Sequence, residues 1–142
     1  MQDALKNMLR DGIVLSPYGA LLGMEPVTLE EDHVVVAMPF KNDITTVGDM
    51  VHGGAIASLV DVAATGAFWA LKEPPKNPRG TTIGFSINYL NAGRSQPLTA
   101  DARVIRRGGS ICVGSVDVTD EAGTPVAHAT VTYKLSKDRE SF

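Results

Sequence analysis

HGGAIASLVDVAATGAFWALK, residues 52–72, contains the most apolar stretch of the chain, Gly53–Leu71, and is the segment around which the rest must be arranged. It is long enough to span a bilayer, but Asp61 sits near its centre, where a carboxylate costs about 2.5–3.5 kcal/mol on the insertion scale. Among its other residues Ala and Gly far outnumber Leu. The segment therefore reads as a buried helix of a water-soluble domain. Pro74 and Pro75 cannot continue a helix and bound it on the C-terminal side. A helix apolar nearly all round needs cover on both sides. A sheet on one side and a second subunit on the other would supply it.

The flanking sequence supplies the sheet. Residues 3–13 carry Leu5, Met8 and Leu9 on one face, the pattern of a short N-terminal helix. Pro17 and Gly19 mark a connection. Residues 20–30 and 33–40 read as a hairpin turned by Glu31-Asp32. Residues 41–51 are a loop without period. Beyond the helix, residues 81–91 alternate, with Ile83, Phe85, Ile87 and Tyr89 on one face and Thr82, Gly84, Ser86 and Asn88 on the other. Residues 97–106 and 111–119 flank Gly108-Gly109, a hairpin signal. Residues 124–135 follow the turn 120–123. The order β-β-α-β-β-β-β gives an α+β fold: one long central helix and an antiparallel sheet of about six strands, in one domain over residues 1–142.

Composition narrows the function. The chain has 142 residues, a net charge of −3, 44% apolar residues and 20% charged residues, ordinary globular values. The mild acidity argues against a nucleic-acid partner. Asp3 and Lys6 stand where a signal peptide needs apolar residues. With the single Cys112, this points to a reducing, cytoplasmic setting and to no membrane partner. There is no GxSxG, no phosphate loop and no dinucleotide fingerprint. His33, His52 and His128 are far apart in sequence, and no metal site is expected. Cys112 lies between Ile111 and Val113 in a strand and reads as core.

The chemistry concentrates on the helix. Gly54, Ser58, Asp61 and Thr65 recur at spacings of four, three and four, so they share one face. No Lys, Arg or His stands three or four residues from Asp61. A buried carboxylate needs partners or a changed pKa. Either Asp61 pairs with a distant Arg, Ser58 or the backbone, or it is a general base or nucleophile in a water-poor pocket. His52-Gly53-Gly54 opens the helix, where backbone N–H groups lack internal partners and negative charge is favoured. Glycine there would let an oxygen approach, as in an oxyanion hole, or would merely allow a tight entry. Gly53 and Asp61 are eight residues apart, about 12 Å along a helix axis. One carbonyl could reach both only if two helices ran antiparallel across a dimer interface.

With these residues in view, VHGGAIASLVDVAATGAFWA resembles the hotdog-fold acyl-CoA thioesterases. The likeness is to the phenylacetate-degradation branch of the 4-hydroxybenzoyl-CoA thioesterase superfamily. There an HGG motif is followed by an acidic residue nine positions after the His, the spacing of His52 and Asp61. The resemblance spans about residues 18–136 and includes TTIGFSINYLNAG and RRGGSICVGSVDVTDEAG. It implies metal-free hydrolysis of an acyl- or aroyl-CoA, with coenzyme A as part of the substrate and no further cofactor. Asp61 would activate water or attack the thioester carbonyl, Gly53 N–H would polarise that carbonyl, and His52 would hold the loop. Thr82 would stand in for a water-positioning Ser, and Thr65 for a helix Thr of a sister branch. Arg106, Arg107, Gly108, Gly109 and Ser110 would meet the nucleotide phosphates, with Arg79 and Arg94 as further candidates. Relatives assemble as dimers of dimers. Six residues before the His, where relatives carry Asn or Gln, this chain has Thr46; either its hydroxyl serves, or Asn42 or Asp49 replaces it. Two other readings stand beside hydrolysis: a non-catalytic acyl-CoA binding protein, and a hotdog hydratase or dehydratase.

Overall fold

The computed structural model describes residues 1–73 and 76–136. Pro74, Pro75 and the end of the expected 1–142 domain lie outside the described residues. In chain order the structure has helix α1 (Asp3–Met8), a π-helical turn (Leu9–Val14), helix α2 (Pro17–Leu21), strands β1 (Glu25–Glu30) and β2 (His33–Met38), and a 3-10 turn (Asn42–Ile44). Helix α3 (Gly53–Trp69) follows, then strands β3 (Arg79–Tyr89), β4 (Leu98–Arg107), β5 (Ile111–Thr119) and β6 (Pro125–Ser136). The six strands form one antiparallel sheet in the order β1-β2-β4-β5-β6-β3. This is the α+β architecture read from the sequence.

The core lies between the sheet and α3. Leu59, Val60, Ala63, Ala64, Ala67 and Phe68 of the helix are buried against Val34, Val36, Val116 and Val131 of the strands. Phe68 stacks on Tyr133 with ring centroids 4.9 Å apart, and Trp69 Nε1–H donates to the Tyr133 hydroxyl at 2.7 Å. Cys112 is buried as expected of a core residue.

Two local expectations change. Pro17 and Gly19 belong to α2 rather than to a connection, and the first strand starts at Glu25 rather than at residue 20. Proline suits the first turn of a helix, where its missing N–H has no partner to lose. Gly23 (φ +74) ends α2: its N–H donates to Ala20 O and the Met24 N–H to Gly19 O, the paired bonds of a Schellman motif. The alternation read over residues 81–91 also breaks. A bulge between Thr82 and Gly84 inserts Ile83, so Thr82 pairs with Tyr133 and shares the helix-facing side with Phe85, Ile87 and Tyr89. A second bulge, between Val104 and Arg106, turns Arg107 inward opposite Cys112 and Arg106 outward.

Candidate active site

Helix α3 begins where His52 caps it. The His52 Nδ1 accepts from the Gly54 N–H at 2.7 Å, so the ring proton is on Nε2. The Ala55 and Ile56 N–H groups both go to His52 O, at 2.9 and 3.2 Å. Among the described residues the Gly53 N–H has no acceptor. It stands at an open pocket of about 350 Å³ whose walls include Met50, Tyr89 and Leu90. The two glycines serve different neighbours. A Cβ on Gly53 would come within 3.2 Å of the Tyr89 ring, whose hydroxyl donates to Gly53 O at 2.7 Å. A Cβ on Gly54 would come within 3.0 Å of His52 Nδ1, so the capping ring would have to give by a few tenths of an ångström.

The face carrying Gly54, Ser58, Asp61 and Thr65 is only partly covered. In the single chain Asp61 is half-buried, and what lies over it is a short N-terminal strap. Tyr18 of α2 reaches Ser58 at 2.9 Å, and since the Ser58 hydroxyl donates to Gly54 O at 2.9 Å, Tyr18 is the donor to Ser58. Gly12, Ile13 and Ser16 join Asp61, Val62 and Thr65 around a cleft of about 190 Å³. The Thr82 hydroxyl donates to Asp61 Oδ1 at 2.7 Å. The β3 bulge is what aims it there. Among the described residues no Lys, Arg or His pairs with Asp61. Nearby, burial pushes the Tyr133 phenol above its ordinary value, the Trp69 hydrogen bond works against that, and the negative charge of Asp61 adds to the rise.

The structure therefore brings Asp61, Thr82 and Thr65 together and puts His52 and Gly53 at the far end of the same helix. Thr46 is not brought to Asp61 within one chain. It is exposed in the loop 45–51, tied there by its N–H to Met50 O at 2.9 Å. Asp49, its suggested substitute, is engaged elsewhere: Ser95 Oγ donates to it at 2.8 Å and Arg94 Nη1 at 2.7 Å. The Ser95 hydroxyl and then the Arg94 guanidinium hold the Asp49 carboxyl below its ordinary value. Arg94 is thereby occupied as well. Asn42 lies exposed in the 3-10 turn. Arg79 is exposed at the start of β3.

The expected phosphate cluster divides. Arg106, Gly108, Gly109 and Ser110 surround an open pocket of about 510 Å³ on the β4–β5 hairpin. Arg107 is corrected to a structural position. Its Nε donates to Asp32 Oδ1 at 2.8 Å, and Nη1 and Nη2 donate to Phe68 O and Ala67 O at 2.9 and 3.1 Å. It thus covers the last carbonyls of α3, where a cation is favoured. Phe68 and Trp69 pack in the core, and Met50 lines the Gly53 pocket. Sequence reading missed Tyr18, Tyr89 and the strap. The Ser16-Pro17 pair, an N-cap followed by proline, was the available signal for α2. Among the described residues no three His, Cys, Asp or Glu gather as a metal would require, and no helix is long and apolar enough to cross a membrane.

Known proteins are similar to this chain. The Escherichia coli (strain K12) medium/long-chain acyl-CoA thioesterase YigI is 31% identical over 94% of this chain and 95% of its own length. A solved thioesterase protein from Streptococcus pneumoniae, crystallised with coenzyme A, superposes with a TM-score of 0.73 at 29% identity, covering 83% of this chain and 89% of that one. A thioesterase-family protein from Silicibacter pomeroyi superposes with a TM-score of 0.85 over 94% of this chain and 98% of its own, and at 24% identity it shows the hotdog fold alone. The profile of the Thioesterase superfamily matches residues 48–127, more than half of the sequence, and the chain belongs to that superfamily.

Proposed function

We propose that this protein hydrolyses acyl-CoA or aroyl-CoA thioesters without a metal ion, in the manner of the phenylacetate-degradation branch of its superfamily, at sites shared between two subunits. One observation carries the reading. Asp61 lies half-buried on an open cleft, its carboxylate held by the Thr82 hydroxyl and opposed by no cation among the described residues. Thr82 fixes one carboxylate oxygen and leaves the other for water or substrate. The Gly53 N–H supplies the complementary group, a helix N-terminal donor on a residue that lines a pocket.

The two groups are about 12 Å apart along the axis of an unbroken helix, so they serve different substrates unless a second copy intervenes. Strand β3 supports that second copy. Among the described residues it is a sheet edge, bonded only to β6, and it exposes Ile83 and Phe85 by 56% and 37%. An edge of eleven residues with apolar side chains calls for a partner. Pairing two β3 edges antiparallel would bring Gly53 of one subunit toward Asp61 of the other, and dimers would pair further into tetramers. Thr46 would then act, if at all, across that interface. The buried free thiol of Cys112 suits a cytoplasmic setting.

In the reaction the thioester carbonyl oxygen accepts from Gly53 N–H. Asp61 takes a proton from water, the hydroxide oxygen bonds to the carbonyl carbon, and the developing oxyanion stays on Gly53. The C–S bond then breaks and the CoA thiolate recovers the proton from Asp61. In the nucleophilic variant Asp61 itself bonds to the carbon and the C–S bond breaks to expel the CoA thiolate. Water then attacks the Asp61 carbonyl of the anhydride, releasing the acid, restoring the Asp61 carboxylate and supplying the proton the thiolate takes up. Single turnover in ¹⁸O-water separates the two, since only the second labels Asp61. Arg106 and the Gly108-Gly109-Ser110 turn would hold nucleotide phosphates, an arginine suiting them bidentately. The test is free-thiol release from short, medium, long and aromatic acyl-CoAs. Wild type is expected to release CoA and Asp61→Ala to release none. An unchanged rate in Asp61→Ala would refute the assignment.

A further inference from the structure

The strap over the cleft has an unusual build. Leu9–Val14 is a π-helical turn, closed by the Leu15 N–H on Arg10 O at 2.8 Å. Such turns are rare, cost hydrogen-bond geometry and occur often at functional sites. This one is clamped at both ends: Leu9 and Val14 are fully buried, and Gly19 of α2 packs so tightly on Val14 O that no side chain would fit there. Between the clamps the wide turn presents Gly12 and Ile13 to the cleft that holds Asp61. Gly12 has no need to be glycine on backbone grounds. Its φ is not positive, and an added Cβ would meet nothing nearer than Met8 Cγ at 4.0 Å. What its missing side chain leaves is room, beside the apolar Ile13 and Val62.

We propose that this π-helical turn is the acyl-end wall of the Asp61 cleft and that Gly12 is the specificity-determining residue. The inference rests on the thioesterase reading above and adds the size of acyl group admitted. The cleft measures about 190 Å³, and an apolar cavity of about 150 Å³ takes up benzene. The acyl group it fits is therefore one aromatic ring or a chain of roughly six carbons. A longer chain must leave past Ile13, and a side chain at position 12 closes the space from the other side.

The test measures kcat/KM for acetyl-, hexanoyl-, phenylacetyl- and decanoyl-CoA in wild type, Gly12→Leu and Ile13→Ala, with thermal unfolding as the folding check. In Gly12→Leu the hexanoyl-to-acetyl and phenylacetyl-to-acetyl ratios are expected to fall at least about tenfold, the scale on which pockets discriminate methylenes. In Ile13→Ala the decanoyl-to-hexanoyl ratio is expected to rise at least about threefold. Should Gly12→Leu fail to fold, the Ile13→Ala ratio decides alone. Wild type that turns over the panel while the ratios in the folded variants stay within about twofold overturns this inference and leaves the thioesterase standing. Wild type that releases no CoA from any member overturns the thioesterase reading and this inference with it.

Discussion

The two ends of α3 are finished in opposite ways. At the C-terminal end, Arg107 spends its guanidinium on Phe68 O, Ala67 O and Asp32, and the Asp32 N–H donates to Ala70 O at 2.9 Å. Each last carbonyl shown there has a donor from the sheet side. At the N-terminal end His52 satisfies the Gly54 N–H, and among the described residues the N–H of Gly53, which lines a pocket, has no acceptor. A helix end needs its orphan groups covered for stability. The covered end secures the helix to the β1–β2 turn. The end with one donor left open is the place where binding an oxyanion would repay that omission.

The contrast can be broken most severely at the reacting groups. Asp61→Asn keeps the Thr82 bond and removes the base; kcat is expected to drop by about 10³ or more with little change in unfolding temperature. A variant retaining more than a tenth of the wild-type rate would break the account. Next comes the open donor itself. Gly53→Pro deletes the N–H at the first helical position, where proline is accepted, and His52 already has the extended backbone (φ −63, ψ 135) that a following proline requires. The Tyr89 ring must give by a few tenths of an ångström. A fall in kcat of about 10²–10³ is expected.

The closed end should answer to a different readout. Arg107→Ala leaves carbonyls uncovered and is expected to cost about 2 kcal/mol, seen as a fall in Tm of roughly 6 °C, while KM for the acyl-CoA changes little. Arg106→Ala should do the reverse, raising KM about threefold to tenfold with Tm unmoved. An exchange of these two behaviours would return Arg107 to the phosphate site. Smaller still is Thr82→Val, which removes the hydroxyl bonded to Asp61 and should lower kcat about tenfold. Smallest is a pH effect at the loop beside Gly53. The Asp49 carboxyl is depressed below its ordinary 3.8, so its bonds to Ser95 and Arg94 add stability above that pH and lose it as pH falls through the lower folded value. Asp49→Asn should flatten the acid limb of thermal stability slightly and leave stability at pH 7 to 8 parallel to wild type.

How much of this was written locally in the sequence differs between the helix and the strands. The spacing of His52, Gly53, Asp61 and Thr65 lies within one regular element, where position follows from a fixed period. Thr82 and Arg107 lie on strands beside a bulge, Thr82 just before the one at Ile83 and Arg107 just after the one at Ile105. One inserted residue exchanges the two faces of a strand. Strict alternation therefore put Thr82 away from the helix and, counted from Ala102 and Val104, turned Arg106 rather than Arg107 inward. Only the family likeness placed Thr82 near Asp61. The strap was hidden for another reason. Tyr18 and Gly12 act through long-range contacts with α3 that no local pattern encodes, although Ser16-Pro17 did announce a helix start.

The central claim is that one subunit supplies Asp61 and a second supplies Gly53. Mixing separately inactive Asp61→Asn and Gly53→Pro proteins, unfolding and refolding them together, and assaying thiol release tests it most directly. In a mixed dimer one site carries both lesions and the other carries neither. With random pairing the account predicts recovery of about a quarter of the wild-type rate. No recovery above the two parents, with mixed dimers present in the refolded sample, would contradict it and place the whole site within one chain.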